Sequence, residues 1–213
     1  FCTKTLNIDA TQIQKMLLIV LLIGTPLFIF FAWLSDKIGR KWIMLSGMVL
    51  AAIFYLPIYK GMAAQADYQK WEGESVADST NASGTGGGSI YAYKNGTIVT
   101  ETFENDKTTV KIVLGSSNLF MIGILIFLQL VFVTMAYGPI AAFLVELFPT
   151  NIRYTSMSLP YHIGNGVFGG LTPLIAESVV LKTGNIFAGL WYPIIVAAVT
   201  VIVGALFLKE RNR

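Results

Sequence analysis

Five long apolar stretches dominate this chain of 213 residues. They run from Met16 to Ser35, Trp42 to Tyr59, Leu119 to Val145, Tyr154 to Ala176 and Ile186 to Leu208. A helix needs roughly 20 apolar residues to cross the hydrocarbon core of a bilayer, which is about 30 Å thick. Inside lipid, peptide groups must also be hydrogen-bonded within the helix itself. The sequence therefore predicts an all-α membrane protein with five spans, the fourth of which is richer in polar residues and glycine.

Composition and charge argue against several other classes of protein. Hydrophobic residues make up 54% of the chain and charged residues only 13%, with a mean hydropathy of +0.65, which is too apolar for an ordinary soluble domain. The net charge is +3 and the basic residues sit at the ends of apolar runs, so we see no nucleic-acid footprint. Cys2 is the single cysteine. No metal-ligand cluster or catalytic Ser/His/Asp set is visible, and we expect no cofactor, no metal and no enzyme activity.

The distribution of Lys and Arg predicts the orientation, because cytoplasmic loops keep positive charge. Basic residues follow the first and third spans and fill the tail: Lys37, Arg40, Lys41, Arg153, Lys209, Arg211 and Arg213. That side is predicted to be cytoplasmic, in the inner (plasma) membrane, with the C-terminus inside and segment 60–118 outside. Five crossings then place Phe1 outside, which requires an earlier span because no signal segment precedes it. We therefore expect that an N-terminal half is missing.

The segment 60–118 differs from the rest because it is polar and rich in glycine. It separates a part with two spans from a part with three, giving the division 1–59, 60–118, 119–208 and a tail at 209–213. The stretch from Ser79 to Ser89 is interpreted as a flexible linker. The segment as a whole is either a loop insertion or a small extracytoplasmic binding or assembly module.

The second part of this segment carries strand signals. Asn95-Gly96 lies between Tyr91-Ala-Tyr-Lys and Thr97-Ile-Val-Thr, which predicts a β-hairpin whose two turn residues adopt positive φ angles. The stretch from Thr108 to Leu114 is a candidate third strand.

The loop after the first span reads Trp33-Leu-Ser-Asp36-Lys37-Ile-Gly39-Arg40-Lys41. It resembles the Gly-x-x-x-Asp-Arg-x-Gly-Arg-Arg signature of the major facilitator superfamily, which recurs between helices two and three and between helices eight and nine. Gly39 permits a tight turn, while Asp36 and Arg40 can bridge neighbouring helix ends. Ala32 replaces the leading glycine of the motif, which predicts a looser helix contact at that point.

A second stretch runs from Glu146-Leu-Phe-Pro-Thr-Asn-Ile-Arg153 to Gly169-Gly-Leu-Thr-Pro-Leu-Ile. It resembles the region of helices ten and eleven in the metabolite:proton symporter family, which includes proline/betaine, shikimate, α-ketoglutarate and citrate porters. With the first motif, the resemblance covers nearly the whole chain except the outer segment. It implies that the five spans are helices eight to twelve of a twelve-helix fold, with the outer segment inserted between helices nine and ten.

The resemblance implies two six-helix halves that rock about a site at the midplane of the membrane. The implied function is secondary active transport of a small polar or anionic metabolite, of the osmolyte or carboxylate class, by proton symport with alternating access. The implied partners are this small-molecule substrate, protons, membrane lipid and the N-terminal half of the same protein. The alternative is a transporter-like receptor or membrane anchor that acts through the outer segment and moves no solute.

Polar residues recur at three- and four-residue spacing in the fourth span, which predicts that they share one helix face. They are Ser158, Tyr161, His162, Asn165, Gly169 and Thr172. With Gln129, Thr134 and Tyr137 of the third span they are our candidates for the substrate cavity, because polar groups in lipid are costly unless they face water or partners. The alternative is that they hydrogen-bond between helices as part of the packing. His162 is a candidate proton carrier by its pKa range, or else a satisfied hydrogen-bonding residue.

Glu146 ends the third span on the predicted cytoplasmic side. By analogy with the family, we predict a gate network formed by Asp36, Gly39, Arg40, Glu146 and Arg153. In this network Glu146 pairs with Arg40 when the transporter is open to the outside, and the pair separates when it opens inward. The alternative is an interfacial charge that only marks the membrane boundary.

Overall fold

A computed structural model describes residues 1–71, 73–79, 87–104 and 107–208. The α-helices are Ala10–Ile38 (α1), Arg40–Ala64 (α2), Ser116–Leu147 (α3), Arg153–His162 (α4), Gly170–Thr183 (α5) and Trp191–Phe207 (α6). A π-helical segment, Ile163–Gly169, joins α4 to α5, and short 3-10 turns lie at Tyr68–Lys70 and Ala188–Leu190. The strands are Gly73–Ser79 (β1), Gly87–Tyr93 (β2), Ile98–Glu104 (β3) and Lys107–Val113 (β4).

Five helices within the described residues are long and apolar enough to cross a membrane. Three are α1, α2 and α3; the others run over Thr155–Thr183, through the π-helical segment, and over Ala188–Phe207. At most 28% of the most apolar window of any of them is buried inside the chain, so most of their apolar side chains are left for lipid or for other helices. The predicted all-α membrane class with five spans is confirmed.

The chain divides into two compact units. The first contains Phe1–Leu21 and Tyr59–Phe127, and the second contains Leu22–Ile58 and Leu128–Arg213. The helices α1, α2 and α3 therefore each contribute one end to each unit. Residues 60–118 fall within the first unit, together with the adjoining ends of α2 and α3 and the start of α1.

The sheet of the first unit is an antiparallel meander in the order β1-β2-β3-β4. The predicted hairpin is present as β2 and β3, and the predicted third strand is β4. The Tyr93 N–H donates to Thr97 O at 2.9 Å, and the Gly96 N–H donates to Tyr93 O at 2.9 Å. Gly96 has a φ of 78°. The prediction that Asn95 also has a positive φ is wrong. The turn is instead stabilised by the Asn95 side chain, whose Oδ1 accepts the Thr97 N–H at 3.0 Å.

The interpretation of residues 79–89 as a flexible linker is wrong where the structure describes them. Ser79 pairs with Gly88, and Gly87 pairs with Phe103, so both ends of this stretch are sheet. Residues 80–86 lie outside the described residues. The prediction rested on the glycine-rich composition alone. Glycines can nevertheless form the backbone hydrogen bonds of a β-sheet whenever neighbouring strands supply the partners. The residues 209–213, predicted to be a tail, also lie outside the described part.

The sheet packs against the N-terminal residues and the helix ends of its own unit. Ile8 forms a parallel bridge with Ile112 of β4, and both side chains are only 2% exposed. Val99 of β3 and Ile122 of α3 are fully buried. Apolar residues of the sheet, of the N-terminal residues and of α3 are thus all buried in the first unit.

In the second unit, glycines let helices approach closely. A Cβ added at Gly47 of α2 would lie 2.7 Å from the Met135 Cβ of α3, so no larger side chain fits there without movement. A Cβ at Gly138 of α3 would lie 3.1 Å from Phe28 O and 3.3 Å from the Ala32 backbone N of α1. The looser contact predicted from Ala32 is therefore not observed, because the glycine that permits the approach is on the facing helix.

Asp9 precedes α1 and links it to the sheet. Its carboxylate lies 2.7 Å from Lys111 Nζ and accepts the Gln12 N–H at 3.1 Å. The bond with Lys111, and then the one from the Gln12 backbone, lower the pKa of the Asp9 carboxyl. Because the folded pKa is lowered, the resulting stabilisation is complete above the ordinary value of about 3.9 and is lost as the pH falls through the folded value.

The substitution Asp9→Asn tests this linkage, since asparagine keeps the capping geometry and loses the charge. We expect a lower melting temperature than that of the unmodified protein at pH 7. The difference should begin to shrink below about pH 4 and should disappear only once the pH falls below the lowered pKa of the folded Asp9 carboxyl. Thermal unfolding in detergent across this pH range measures it. A difference that is the same at every pH would show that the charge plays no part.

Candidate functional site

The connection between α1 and α2 is a single residue, Gly39. Its φ is 114°, a conformation that side-chain-bearing residues rarely adopt. The Gly39 N–H still donates to Ser35 O at 3.0 Å, and Gly39 O accepts the Ile43 N–H at 3.4 Å. One helix therefore ends and the next begins without a longer loop, and this brings Asp36 and Arg40 together across the break.

Arg40 joins two carboxylates. Its Nη2 lies 2.8 Å from Asp36 Oδ1, and its Nη1 lies 2.8 Å from Glu146 Oε1 at the end of α3. The Arg40 side chain is 15% exposed, whereas those of Asp36 and Glu146 are 50% and 38% exposed. The structure thus brings together three of the predicted gate residues, with one guanidinium shared between two helix ends.

Arg153, which the sequence groups with these residues, makes a different contact. Its Nε donates to Phe148 O at 3.4 Å, a carbonyl in the turn between α3 and α4. This contact holds the start of α4 to the end of α3.

Lys41 has a role that the sequence did not reveal. Its Nζ donates to Leu208 O at 2.6 Å and to Ala205 O at 3.0 Å, at the C-terminal end of α6. The last carbonyls of a helix have no partner within it, and a cation there also interacts favourably with the helix dipole. No signal in the sequence pairs Lys41 with residues more than 160 positions away, because this contact depends entirely on how α2 and α6 pack.

The polar fourth span contains a rare backbone geometry. The segment Ile163–Gly169 is π-helical, and the Gly170 N–H donates to Asn165 O, five residues earlier. Residues in such a turn are rotated relative to an α-helix, so Gly169 and Thr172 do not continue the single face predicted from α-helical spacing. Single π turns occur often at functional sites, where they re-aim side chains.

Side chains of this span are exposed at the positions of interest: Ser158, Tyr161, His162 and Asn165. His162 Nδ1 lies 2.8 Å from Ser158 O and 3.2 Å from Ser158 Oγ, within the same helix. This arrangement favours the interpretation of His162 as a satisfied hydrogen-bonding residue on that nitrogen.

One hydrogen bond joins the third span to the π-helical segment. Tyr137 Oη of α3 donates to Asn165 Oδ1 at 3.1 Å. The two residues were predicted separately as cavity candidates, and the structure makes them neighbours.

The other two candidates of α3 have different surroundings. Thr134 is fully buried, and its hydroxyl donates to Val131 O of the same helix at 2.8 Å, which places it among the packed residues. Gln129 Nε2 is buried and has no hydrogen-bond partner among the described residues. Since buried amide donors are nearly always paired, Gln129 is the polar group of α3 with bonding capacity left for a ligand or another helix.

Comparison with known proteins finds that the chain is similar to proteins named as transporters. It is 27% identical over 189 residues to a Staphylococcus haemolyticus protein named for proline/betaine transport. This alignment covers 89% of this chain and 29% of that protein. It is 34% identical over 100 residues to the inner membrane metabolite transport protein YhjE of Escherichia coli, covering 47% and 22% respectively. A Haemophilus influenzae protein named for metabolite transport is 37% identical over 86 residues, covering 40% and 19%.

These matches confirm the resemblance to transporters of the major facilitator type. The chain spans less than a third of the length of each of these relatives. No family model and no solved structure matches the chain.

The bond between Tyr137 and Asn165 is open to a double-mutant test. We expect Tyr137→Phe and Asn165→Ala to be non-additive in unfolding free energy by about 0.5–1.5 kcal/mol, because either change alone breaks the same bond. The control pair, Tyr192→Phe with Asn165→Ala, should add to within about 0.5 kcal/mol. Additive effects for Tyr137 as well would show that the bond contributes nothing.

Proposed function

We propose that this chain, of major facilitator type and similar over about 90% of its length to proteins named as transporters, is part of a secondary active transporter. The observation that carries the proposal is the cluster in which Arg40 joins Asp36 to Glu146. Such a cluster ties helix ends together reversibly, which is what a gate requires.

The small stabilising free energy of these ion pairs suits a contact that forms and breaks during transport better than a permanent one. Exposed ion pairs contribute about 0.2–1 kcal/mol, because water screens the charges and the side chains lose conformational freedom. Asp36 and Glu146 are each more than a third exposed, so water can replace Arg40 as their partner at modest cost. In our proposal the Arg40–Glu146 pair closes the cytoplasmic side and separates when the transporter opens inward.

The substrate we propose is a small polar or anionic metabolite, an osmolyte or a carboxylate. A relative named for proline/betaine transport supports the osmolyte part of this proposal, and the names of the other relatives specify no particular metabolite. The substrate side is proposed to include Tyr137, Asn165 and Gln129, the polar groups that the structure leaves exposed or unpaired, together with Ser158 and Tyr161. Proton symport, an N-terminal half that completes the site, and an inner membrane with the Arg40 cluster on the cytoplasmic side are parts of the same proposal.

The direct test is uptake by the full-length protein of a panel of amino acids, betaines and carboxylates, with and without an imposed pH gradient. We expect uptake of at least one compound, and faster uptake when the outside is more acidic. Uptake of none of them, by a protein shown to be folded and in the membrane, would favour the receptor or anchor alternative. In that alternative, the four-stranded sheet of the first unit is the proposed partner-binding element.

The gate has a specific test in Glu146→Gln, which keeps the shape and removes the charge. We expect the maximal rate to fall about three- to fivefold, equivalent to about 0.6–1 kcal/mol in the barrier, with KM changed by less than about twofold. Arg40→Gln should have a similar effect, and the charge swap Arg40→Glu with Glu146→Arg should restore part of the rate.

Glu177→Gln is the matched control for the gate, because Glu177 is an exposed carboxylate of α5 with no place in the Arg40 cluster. It should leave both the rate and KM unchanged. An unchanged rate for Glu146→Gln would defeat the gate assignment while leaving transport itself in place.

A further inference from the structure

The first unit contains an unusual connection between α1 and the strand that leads into α3. The side-chain amide of Gln12 bonds both backbone groups of Leu114: Nε2 donates to Leu114 O at 3.1 Å, and Oε1 accepts the Leu114 N–H at 3.0 Å. A helix side chain thus replaces a neighbouring strand at the point where β4 ends. Both bonds are lost together if α1 and β4 move apart.

The chain before α1 extends the same connection. Ile112 N–H donates to Asn7 O at 2.9 Å, and Asp9 N–H donates to Ile112 O at 2.8 Å, so residues 7–9 pair with β4 like a short parallel strand. The side chains of Ile8 and Ile112 are buried beneath this pairing. Separation would expose apolar surface as well as breaking hydrogen bonds.

Two further bonds bring in the start of α3 and the end of α2. The Gly115 N–H donates to the buried Thr97 Oγ1 at 3.1 Å, and an added Cβ at Gly115 would overlap Asn95 O. Asn118 Nδ2 of α3 donates to Gln65 O, just after α2, at 3.0 Å. The sheet therefore bonds to the α1 and α3 ends, and α3 bonds to the α2 end.

We propose that the sheet and these ends of α1, α2 and α3 form a clamp that stays closed throughout the transport cycle. The clamp consists of residues 7–12, Gln65, Thr97 and 111–118. It moves as one body, so the conformational change of transport occurs without separating these three ends. The transport part of this inference rests on the proposed function, whereas the closed state of the clamp does not.

The chemistry of the clamp explains why it stays closed. Its bonds involve backbone groups that are part-buried or buried, and an unpaired backbone group away from water is costly. The bonds to Ile112, Leu114 and Gly115 lie along one continuous stretch of backbone, so they break together rather than singly. An exposed ion pair, by contrast, exchanges its partner for water at little cost.

The first experiment locks the clamp covalently. Neighbouring strands lie about 4.8 Å apart, within the range of Cα separations that a disulfide spans, so Ile8→Cys with Ile112→Cys should form a bond on oxidation in a Cys2→Ser background of the full-length protein. We expect uptake by the oxidised protein to stay within about twofold of the reduced protein. Uptake that is lost on oxidation and recovered on reduction would overturn the proposal, because it would show that the clamp must open.

The second experiment does not depend on the cysteines or on transport. In the full-length protein, we expect the amide hydrogen of Leu114 to exchange as slowly as those of Val99 and Ile112, and Gln12→Leu to speed Leu114 exchange at least tenfold. Gln14→Leu is the matched control, because Gln14 is exposed on the same helix, and it should change this rate by less than twofold. Fast exchange at Leu114 in the unmodified protein would overturn the proposal even if the disulfide variant failed to fold.

Absence of uptake by the unmodified protein would defeat the proposed function. The hydrogen-exchange measurement would then decide whether the clamp stays closed.

Discussion

Lipid offers no hydrogen-bond partners, and this constraint shapes the whole molecule. Every peptide group within a span must be paired inside its own helix, so the five apolar stretches have few alternatives to helical structure. Because side chains facing lipid gain nothing from contact with one another, helices approach where small residues allow backbone contact, as at Gly47 and Gly138. The interactions that depend on sequence detail are therefore concentrated at helix ends and at the polar positions of the fourth span.

Helix ends in this chain are fastened in chemically different ways. The Arg40 cluster uses partly exposed charges, which exchange readily with water. Lys41 satisfies the final carbonyls of α6, a contact that combines hydrogen bonding with the helix dipole. Gln12 and Leu114 use neutral, part-buried amides, which have no equally good partner to exchange for. A protein that must change shape benefits from having both reversible and lasting connections of these kinds.

The fourth span shows how polar residues and backbone geometry act together. Its glycines have no side chain and are compatible with the π-helical turn. Asn165 lies within this turn and accepts a hydrogen bond from Tyr137 of α3. His162 Nδ1 is bonded to Ser158 in its own helix. Gln129, whose amide nitrogen has no partner among the described residues, is the better indication of where a ligand or another helix is needed.

The five spans and the hairpin at Asn95-Gly96 could be predicted from the residues alone, because hydropathy and turn chemistry are local. The pairing of Arg40 with Glu146 was predicted by analogy with the family, and the two side chains lie 2.8 Å apart in the structure. Other features depend on how the chain packs: Gly87–Ser89 belong to a strand, Lys41 caps α6 and Gln12 bonds Leu114. These contacts join residues far apart in the chain, and each uses backbone groups that every residue possesses. No pattern of side chains could reveal them, since only packing chooses which backbone groups meet.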